Sequence, residues 1–190
     1  MRLILASQSP RRSQLLREAG YAFEVIPPSE GAECGEPDGD ATSDYVARLA
    51  IQKAADVAAR ITQPSLIIAC DTVAECDGEI LGKPVDREDA WRMLRLLSGR
   101  EHVVWSGLCL WSTASHEFRV ESASSTLLMQ PLSSQMIEEY LDTRAWEGKS
   151  GAFGYQDNHP WLTLTTGSAS NVVGLPMELL REMLPMMSQG

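Results

Sequence analysis

The chain has 190 residues, 44% apolar and 22% charged, enough to bury one core without disulfide or metal staples. Its formal net charge of −10 argues against DNA or RNA as a partner, because contacts from a basic face to phosphates dominate such binding. A small anionic ligand held by a few local cations stays compatible, since exposed charges are screened beyond about 8 Å in physiological salt.

Residues 3–6 form a short apolar run without helical period and are expected to be a buried strand. Ser9 then fits a helix N-cap, Pro10 the first helical position and Gly20 the C-terminal stop. Residues 21–26 alternate as a second strand would, until Pro27-Pro28 breaks it, and residues 27–40 read as a loop. A long helix is expected from near Ser43, with Val46, Leu49, Ala50, Ala54, Val57 and Ile61 on one apolar face. Residues 66–69 read as a buried strand ending at Cys70-Asp71-Thr72. Asp77-Gly78 marks a hairpin, and Asp86 caps a helix over 87–97 that closes near Gly99.

Two long strands, 103–111 and 118–129, are expected to pair. A helix over 134–143, a strand over 162–165 and a C-terminal helix opened by Pro176 complete the series. Strands and helices interleave, so the fold class is α/β, built on a mixed sheet with flanking helices, with residues 1–190 as a single domain or two small lobes sharing a core.

No apolar run approaches the ~20 residues that cross a bilayer. The N-terminal apolar stretch turns polar after Ala6, too short for a signal-peptide core. Cys34, Cys70, Cys76 and Cys109 have neither Cys-x-x-Cys nor zinc-ligand spacing. Together these set the expectation of a cytoplasmic protein.

Four features could carry chemistry. A helix N-terminus attracts phosphate through unpaired N–H groups, and here Ser7 and Ser9 add hydroxyls while Arg11 and Arg12 add guanidinium forks. Arginines in a first turn oppose the helix dipole, so a purely structural role is less natural. No Walker loop is present. Asp71 follows an apolar run, and open α/β sheets gather ligands at the carboxyl ends of strands. Such a carboxylate holds a hard cation or takes a proton from water; the plainer alternative is a cap or turn former.

Lys83, between Gly82 and Pro84, sits on a restricted segment and could place a point charge on phosphate, against a default of a solvated lysine. Lys53, among alanines, reads alone as a surface residue with a packed stem. In Gly148-Lys149-Ser150-Gly151-Ala152-Phe153-Gly154-Tyr155-Gln156, Lys149 could meet phosphate and Gln156 could read a base edge; an ordinary flexible loop is the alternative. His102, His116 and His159 lie in polar or loop surroundings without evident partners, and the tryptophans and methionines are mostly core candidates.

Taken together, several stretches resemble the Maf family of nucleotide pyrophosphatases. They are Leu5-Ala6-Ser7-Gln8-Ser9-Pro10-Arg11-Arg12, Asp71-Thr72-Val73, Leu81-Gly82-Lys83-Pro84, Leu97-Ser98-Gly99, Gly151-Ala152-Phe153-Gly154-Tyr155-Gln156 and Ser170-Asn171-Val172-Val173-Gly174-Leu175-Pro176. The resemblance implies an elongated fold akin to inosine-triphosphate pyrophosphatases, with two lobes around a cleft, often dimeric. It implies hydrolysis between the α- and β-phosphates of a nucleoside triphosphate, helped by a divalent metal, Mg²⁺ or Mn²⁺.

On that resemblance Asp71 would accept a proton from water or hold the metal, with Glu33 (or Glu30) as a second carboxylate. Lys53, Lys83 and Arg12 would neutralise the triphosphate and Ser7 would donate to it. Arg11, Thr72 and Gln156 look like the branch acting on dTTP and UTP rather than on N7-methyl-GTP. The chain departs from the family pattern at the segment after the second strand, at Gly148 where an Asp is usual, and at Asp157-Asn158-His159-Pro160-Trp161. A nucleotide-binding regulator that senses without hydrolysing would use the same cationic loops; retention of both Asp71 and Lys83 favours the enzyme.

Overall fold

The structure, a computed structural model, describes residues 2–35, 37, 39, 41–157 and 159–187. Residues 36, 38 and 40 of the expected 27–40 loop, and Asn158 of the unusual 157–161 segment, lie outside the described residues. The elements run β1 (Arg2–Leu5), α1 (Pro10–Glu18), β2 (Glu24–Val25), α2 (Thr42–Ala58), β3 (Ser65–Cys76) and β4 (Glu79–Leu81). They continue with α3 (Arg87–Leu97), β5 (Glu101–Ser112), β6 (Phe118–Met129), α4 (Ser134–Asp142), β7 (Leu162–Thr166), α5 (Ala169–Val173) and α6 (Met177–Met187). Strand order is β2-β1-β3-β5-β6-β7, with β4 also paired to β3. The β1–β2 and β1–β3 pairs are parallel, and the β3–β4 and β6–β7 pairs are antiparallel, so the protein is a mixed-sheet α/β fold flanked by helices.

The chain divides into two compact units. The first comprises Met1–Asp71, Ser106–Ala123 and Gly174–Gly190; the second comprises Thr72–Trp105 and Ser124–Val173. In the first unit, side-chain alternation along β3 sets two cores. Leu66, Ile68 and Cys70 pack with Leu16, Leu175, Met177, Leu180 and Met183 of the α1 and α6 side. Ile67 and Ala69 face the other way, onto Ala50, Ala54 and Val57 of α2. Ile67 and Ile68 are both fully buried, each worth about 1.5–3 kcal/mol relative to an exposed side chain. The α2 helix lies close to β5: a Cβ at Gly107 would come within 2.6 Å of the Ala47 nitrogen and closer still to the Val46 carbonyl. Only a residue without a side chain fits there.

The second unit closes its own core around Leu81, Met93, Leu94, Leu97, Leu127, Met129 and Ile137. The Asp77-Gly78 turn has φ of 51° and 80°, as a two-residue hairpin requires, and pairs Cys76 with Glu79. Ser9, Asp86 and Ser133 each cap their helices by accepting from the backbone N–H three residues on.

Several expectations are corrected. β3 does not end at Cys70-Asp71-Thr72; it continues to Cys76, because the ladder to β4 pairs Ala74 with Leu81. The second strand shrinks to Glu24–Val25, which register against Ile4 and Leu5 of β1. α5, five residues long, is too short to leave a periodic signature. Among the described residues no helix is long and apolar enough to cross a membrane.

Candidate active site

The alternation that buries Ile67 and Ala69 against α2 puts the next odd position, Asp71, on that same face. On α2, Lys53 lies three residues after buried Ala50 and four before buried Val57, so helical period turns it toward the strand. The two meet. Lys53 Nζ donates to Asp71 Oδ1 at 2.5 Å and to the Cys70 carbonyl at 3.4 Å, and lies 3.2 Å from Glu33 Oε1. Lys53 is 6% exposed and Asp71 9%, so the surface reading of Lys53 is overturned. A buried pair of this kind costs desolvation that only close geometry and further hydrogen bonds offset.

Glu33 reaches this pair because α2 holds the loop that carries it. Arg48, Gln52 and Asp56, one row on α2, and Arg60 just beyond its C-cap all bond it. Gln52 Oε1 accepts from the Cys34 N–H at 3.1 Å, while Arg48 donates to the Cys34 carbonyl at 3.0 Å. Asp56 accepts from the Ser29 N–H at 2.9 Å, and Arg60 donates to the Pro27 carbonyl at 2.7 Å. The Ser29 backbone contact, followed by the Arg60 contact, holds the Asp56 carboxyl below its usual range. The sequence pattern did not expose this row.

At the N-terminus of α1, Ser7 Oγ accepts from the Ser9 N–H at 3.1 Å and from Arg12 Nη1 at 3.2 Å. Both lone pairs are then engaged, which leaves the hydroxyl proton of a residue only 4% exposed for donation. Arg12 is itself aimed by Gly174, whose carbonyl accepts from Arg12 Nε at 2.7 Å and from the Cys70 thiol at 3.3 Å. Ser7, Arg12, Gly174, Cys70, Asp71, Lys53 and Glu33 thus form one connected network within the first unit. Arg11 stands half-buried in the first turn of α1. Gly174 and Cys70 were missed because their contribution is a backbone carbonyl and a thiol behind the site.

The second unit gathers the remaining candidates. Ser150 Oγ donates to the Thr72 carbonyl at 2.8 Å, and the Gly151 N–H donates to the Gly82 carbonyl at 3.0 Å. These two bonds bring Thr72, the Gly82-Lys83 segment and the loop that follows Lys149 together. Lys83 is exposed and makes no ion pair among the described residues. Lys149, by contrast, is ion-paired to Asp157. Gln156 is exposed, in the single turn Tyr155–Asp157.

Asn171 is structural: its amide donates to the Val104 carbonyl at 3.1 Å and to Ser125 Oγ at 2.9 Å. His102 is also misread from its polar neighbours. It is 2% exposed, meets the Phe153 ring edge-on at 5.2 Å, and burial pushes its imidazole down to about 4. Three of the four free cysteines are buried, and burial raises the Cys109 thiol to about 12.

Fold and site together define a mixed-sheet α/β protein whose buried carboxylate is paired with Lys53 and linked through Cys70 and Gly174 to Arg12 and Ser7. The chain belongs to the Maf-like protein family, whose model matches residues 2–187. It is 55% identical over 183 residues to a dTTP/UTP pyrophosphatase of Rhodopirellula baltica, covering 96% of this chain and 80% of that one. A dTTP/UTP pyrophosphatase of Carboxydothermus hydrogenoformans is 38% identical over 96% of this chain and 97% of its own. Among solved structures, the Staphylococcus aureus Ham1 protein is a distant likeness, with TM-score 0.46 and 17% identity over 68% of this chain and 72% of that one.

Proposed function

We propose that the chain is a nucleoside-triphosphate pyrophosphatase that hydrolyses dTTP and UTP to the monophosphate and pyrophosphate. The observation that carries the reading is the buried Lys53–Asp71 pair at 2.5 Å, joined through Cys70 and Gly174 to Arg12 and Ser7. The names of relatives up to 55% identical support the substrate class.

In this reading Asp71 takes the proton of the water that attacks the α-phosphorus, and the bond to the β-phosphate oxygen breaks as pyrophosphate leaves. Lys53 holds the Asp71 carboxylate in place. Ser7 donates its free hydroxyl proton to a phosphate oxygen, while Arg12, Arg11 and Lys83 balance the triphosphate charge. Preorganised donors of this kind act where charge builds on the departing group, and each is worth about a hundredfold in rate. Thr72 and Gln156 would face the base.

Asp71 and Glu33 would hold a divalent cation. Lys53 balances only one of these two carboxylates, which leaves the charge such a cation needs. Among the described residues no cluster of three or more His, Cys, Asp or Glu is suited to a metal, so phosphate oxygens and water would complete the shell, as Mg²⁺ prefers. When bound, the cation supplies Lewis acidity toward the phosphate oxygens.

The test is monophosphate and pyrophosphate release from dTTP, UTP, CTP and N7-methyl-GTP with Mg²⁺ or Mn²⁺, for the parent and for Asp71→Asn. Preference for dTTP and UTP is expected, with turnover reduced at least a hundredfold by Asp71→Asn in a folded variant. Near-normal turnover of that variant removes Asp71 from catalysis. Preference for N7-methyl-GTP overturns the substrate assignment, and bound nucleotide left intact indicates a sensor.

A further inference from the structure

The loop from Lys149 to Trp161 contains a closed device that the reading above does not use. Two single turns, Ser150–Ala152 and Tyr155–Asp157, flank Gly154. Lys149 enters the first turn and Asp157 ends the second, and their side chains form an ion pair that is largely shielded, at 12% and 25% exposure. The pair lies across Gly154, where an added Cβ would come within 2.9 Å of Asp157 Cγ and closer to Lys149 Nζ. The backbone completes the closure, with the Ala152 N–H on the Lys149 carbonyl at 3.1 Å and the Asp157 N–H on the Gly154 carbonyl at 3.2 Å.

Behind the carboxylate, His159 Nε2 lies 3.8 Å from Asp157 Oδ2. The His159 ring is anchored in turn, stacked on Trp161 at 4.5 Å and edge-on to Tyr140 at 4.9 Å. Gln156 occupies the middle of the turn so held. A three-residue turn has almost no stability of its own, so its conformation comes from what clamps it.

We propose that Asp157 is a positioning residue for Gln156, and that Lys149 is its latch rather than a contact to phosphate. This rests on the reading in which Gln156 faces the nucleotide base. With the pair closed, Gln156 is presented in one conformation. With the pair cut, the turn samples others, and apparent affinity falls by the fraction of time the competent one is occupied.

The same pair admits an opposite role, in which Asp157 withholds a lysine that would otherwise bind phosphate, and the two roles differ in sign. For the full-length chain, Asp157→Asn, Lys149→Met and Gly154→Ala are each expected to raise KM for dTTP about tenfold and leave kcat within about twofold. All three should weaken the preference for dTTP over CTP, as Gln156→Ala does. The double variant Asp157→Asn/Lys149→Met should do no more than either single change, because both cut one latch. Inhibition by inorganic tripolyphosphate, a base-free competitor, should be unchanged throughout.

A lower KM in Asp157→Asn overturns the latch, as does weaker tripolyphosphate inhibition in Lys149→Met alone. If Gln156→Ala shifts the base preference and Asp157→Asn does not, the latch fails while base reading stands. If Gln156→Ala leaves the preference intact, base reading fails and the latch falls with it. Gly154→Ala alters no charge, so it separates geometry from electrostatics.

Discussion

Replacing Gly107 with alanine asks how tightly the packing of α2 is tied to the chemistry. The new Cβ would lie 2.6 Å from the Ala47 nitrogen and closer to the Val46 carbonyl, where van der Waals contact needs over 3 Å. Both neighbours are backbone inside regular elements, so no side chain can swing away, and α2 must move by something near 1 Å. Overpacking of this severity costs about 3 kcal/mol, or roughly 10 °C in Tm for a domain of this size. Lys53 lies two turns along the helix from Val46, about 10 Å away. A shift of α2 therefore opens the 2.5 Å contact to Asp71, and displacement of that order costs about a hundredfold in turnover. Circular-dichroism melting and steady-state hydrolysis of dTTP, well below Tm, read the two effects. As a control, Gly20→Ala has open space and only a φ of +82° to contend with, so it should lower Tm slightly and leave turnover alone. A Gly107→Ala variant with Tm within 2 °C and turnover within about twofold of the parent would refute the coupling.

Two further outcomes follow from buried groups. His102 is neutral in the folded chain, with its imidazole held near 4 rather than 6.5, chiefly by burial and only partly offset by the Arg100 backbone. Between those values the unfolded chain binds more protons, so stability is full above pH 6.5 and is lost as pH falls toward 4, by about 3 kcal/mol. Denaturant titrations at pH 7 and pH 4 should show that loss shrinking by this amount in His102→Leu; an unchanged pH dependence would exclude His102 as its source. Lys53→Met leaves Asp71 and Glu33 facing each other without their shared cation. It should lower stability by about 3 kcal/mol and turnover at least a hundredfold, while Lys53→Met/Asp71→Asn recovers stability but not turnover. A double variant less stable than the Lys53→Met single would count against the pair.

Local chemistry made much of the fold legible. The caps at Ser9 and Asp86 and the Asp77-Gly78 hairpin depend on residues within one turn of each other, and all three stand where the sequence puts them. The helical face of α2 was equally plain, yet Lys53, in phase with Ala50 and Val57, reads by its charge as a surface residue and becomes a site candidate only through the family resemblance. His102 was likewise in phase with buried Val104 along β5. Polar character outweighed period in both readings, and period proved the better guide. The length of β3 could not be read because Asp71 and Thr72 interrupt its apolar run, while its continuation depends on pairing with β4. The supports of Arg12 and Glu33 escaped for another reason: a carbonyl from residue 174 and a row of polar side chains on α2 act at long sequence distance, where spacing carries no signal.

The passage of β3 straight through Asp71 has a consequence for how the enzyme wears out. Residues 65–68 of β3, the stretch registered against β1 just ahead of that carboxylate, should be among the last to exchange their amides with deuterated water. Glu33 instead rides on a loop fixed by a handful of exposed hydrogen bonds, so mild heat or denaturant should release it first. Activity would then fade before the sheet melts, with one acidic partner intact and the other adrift.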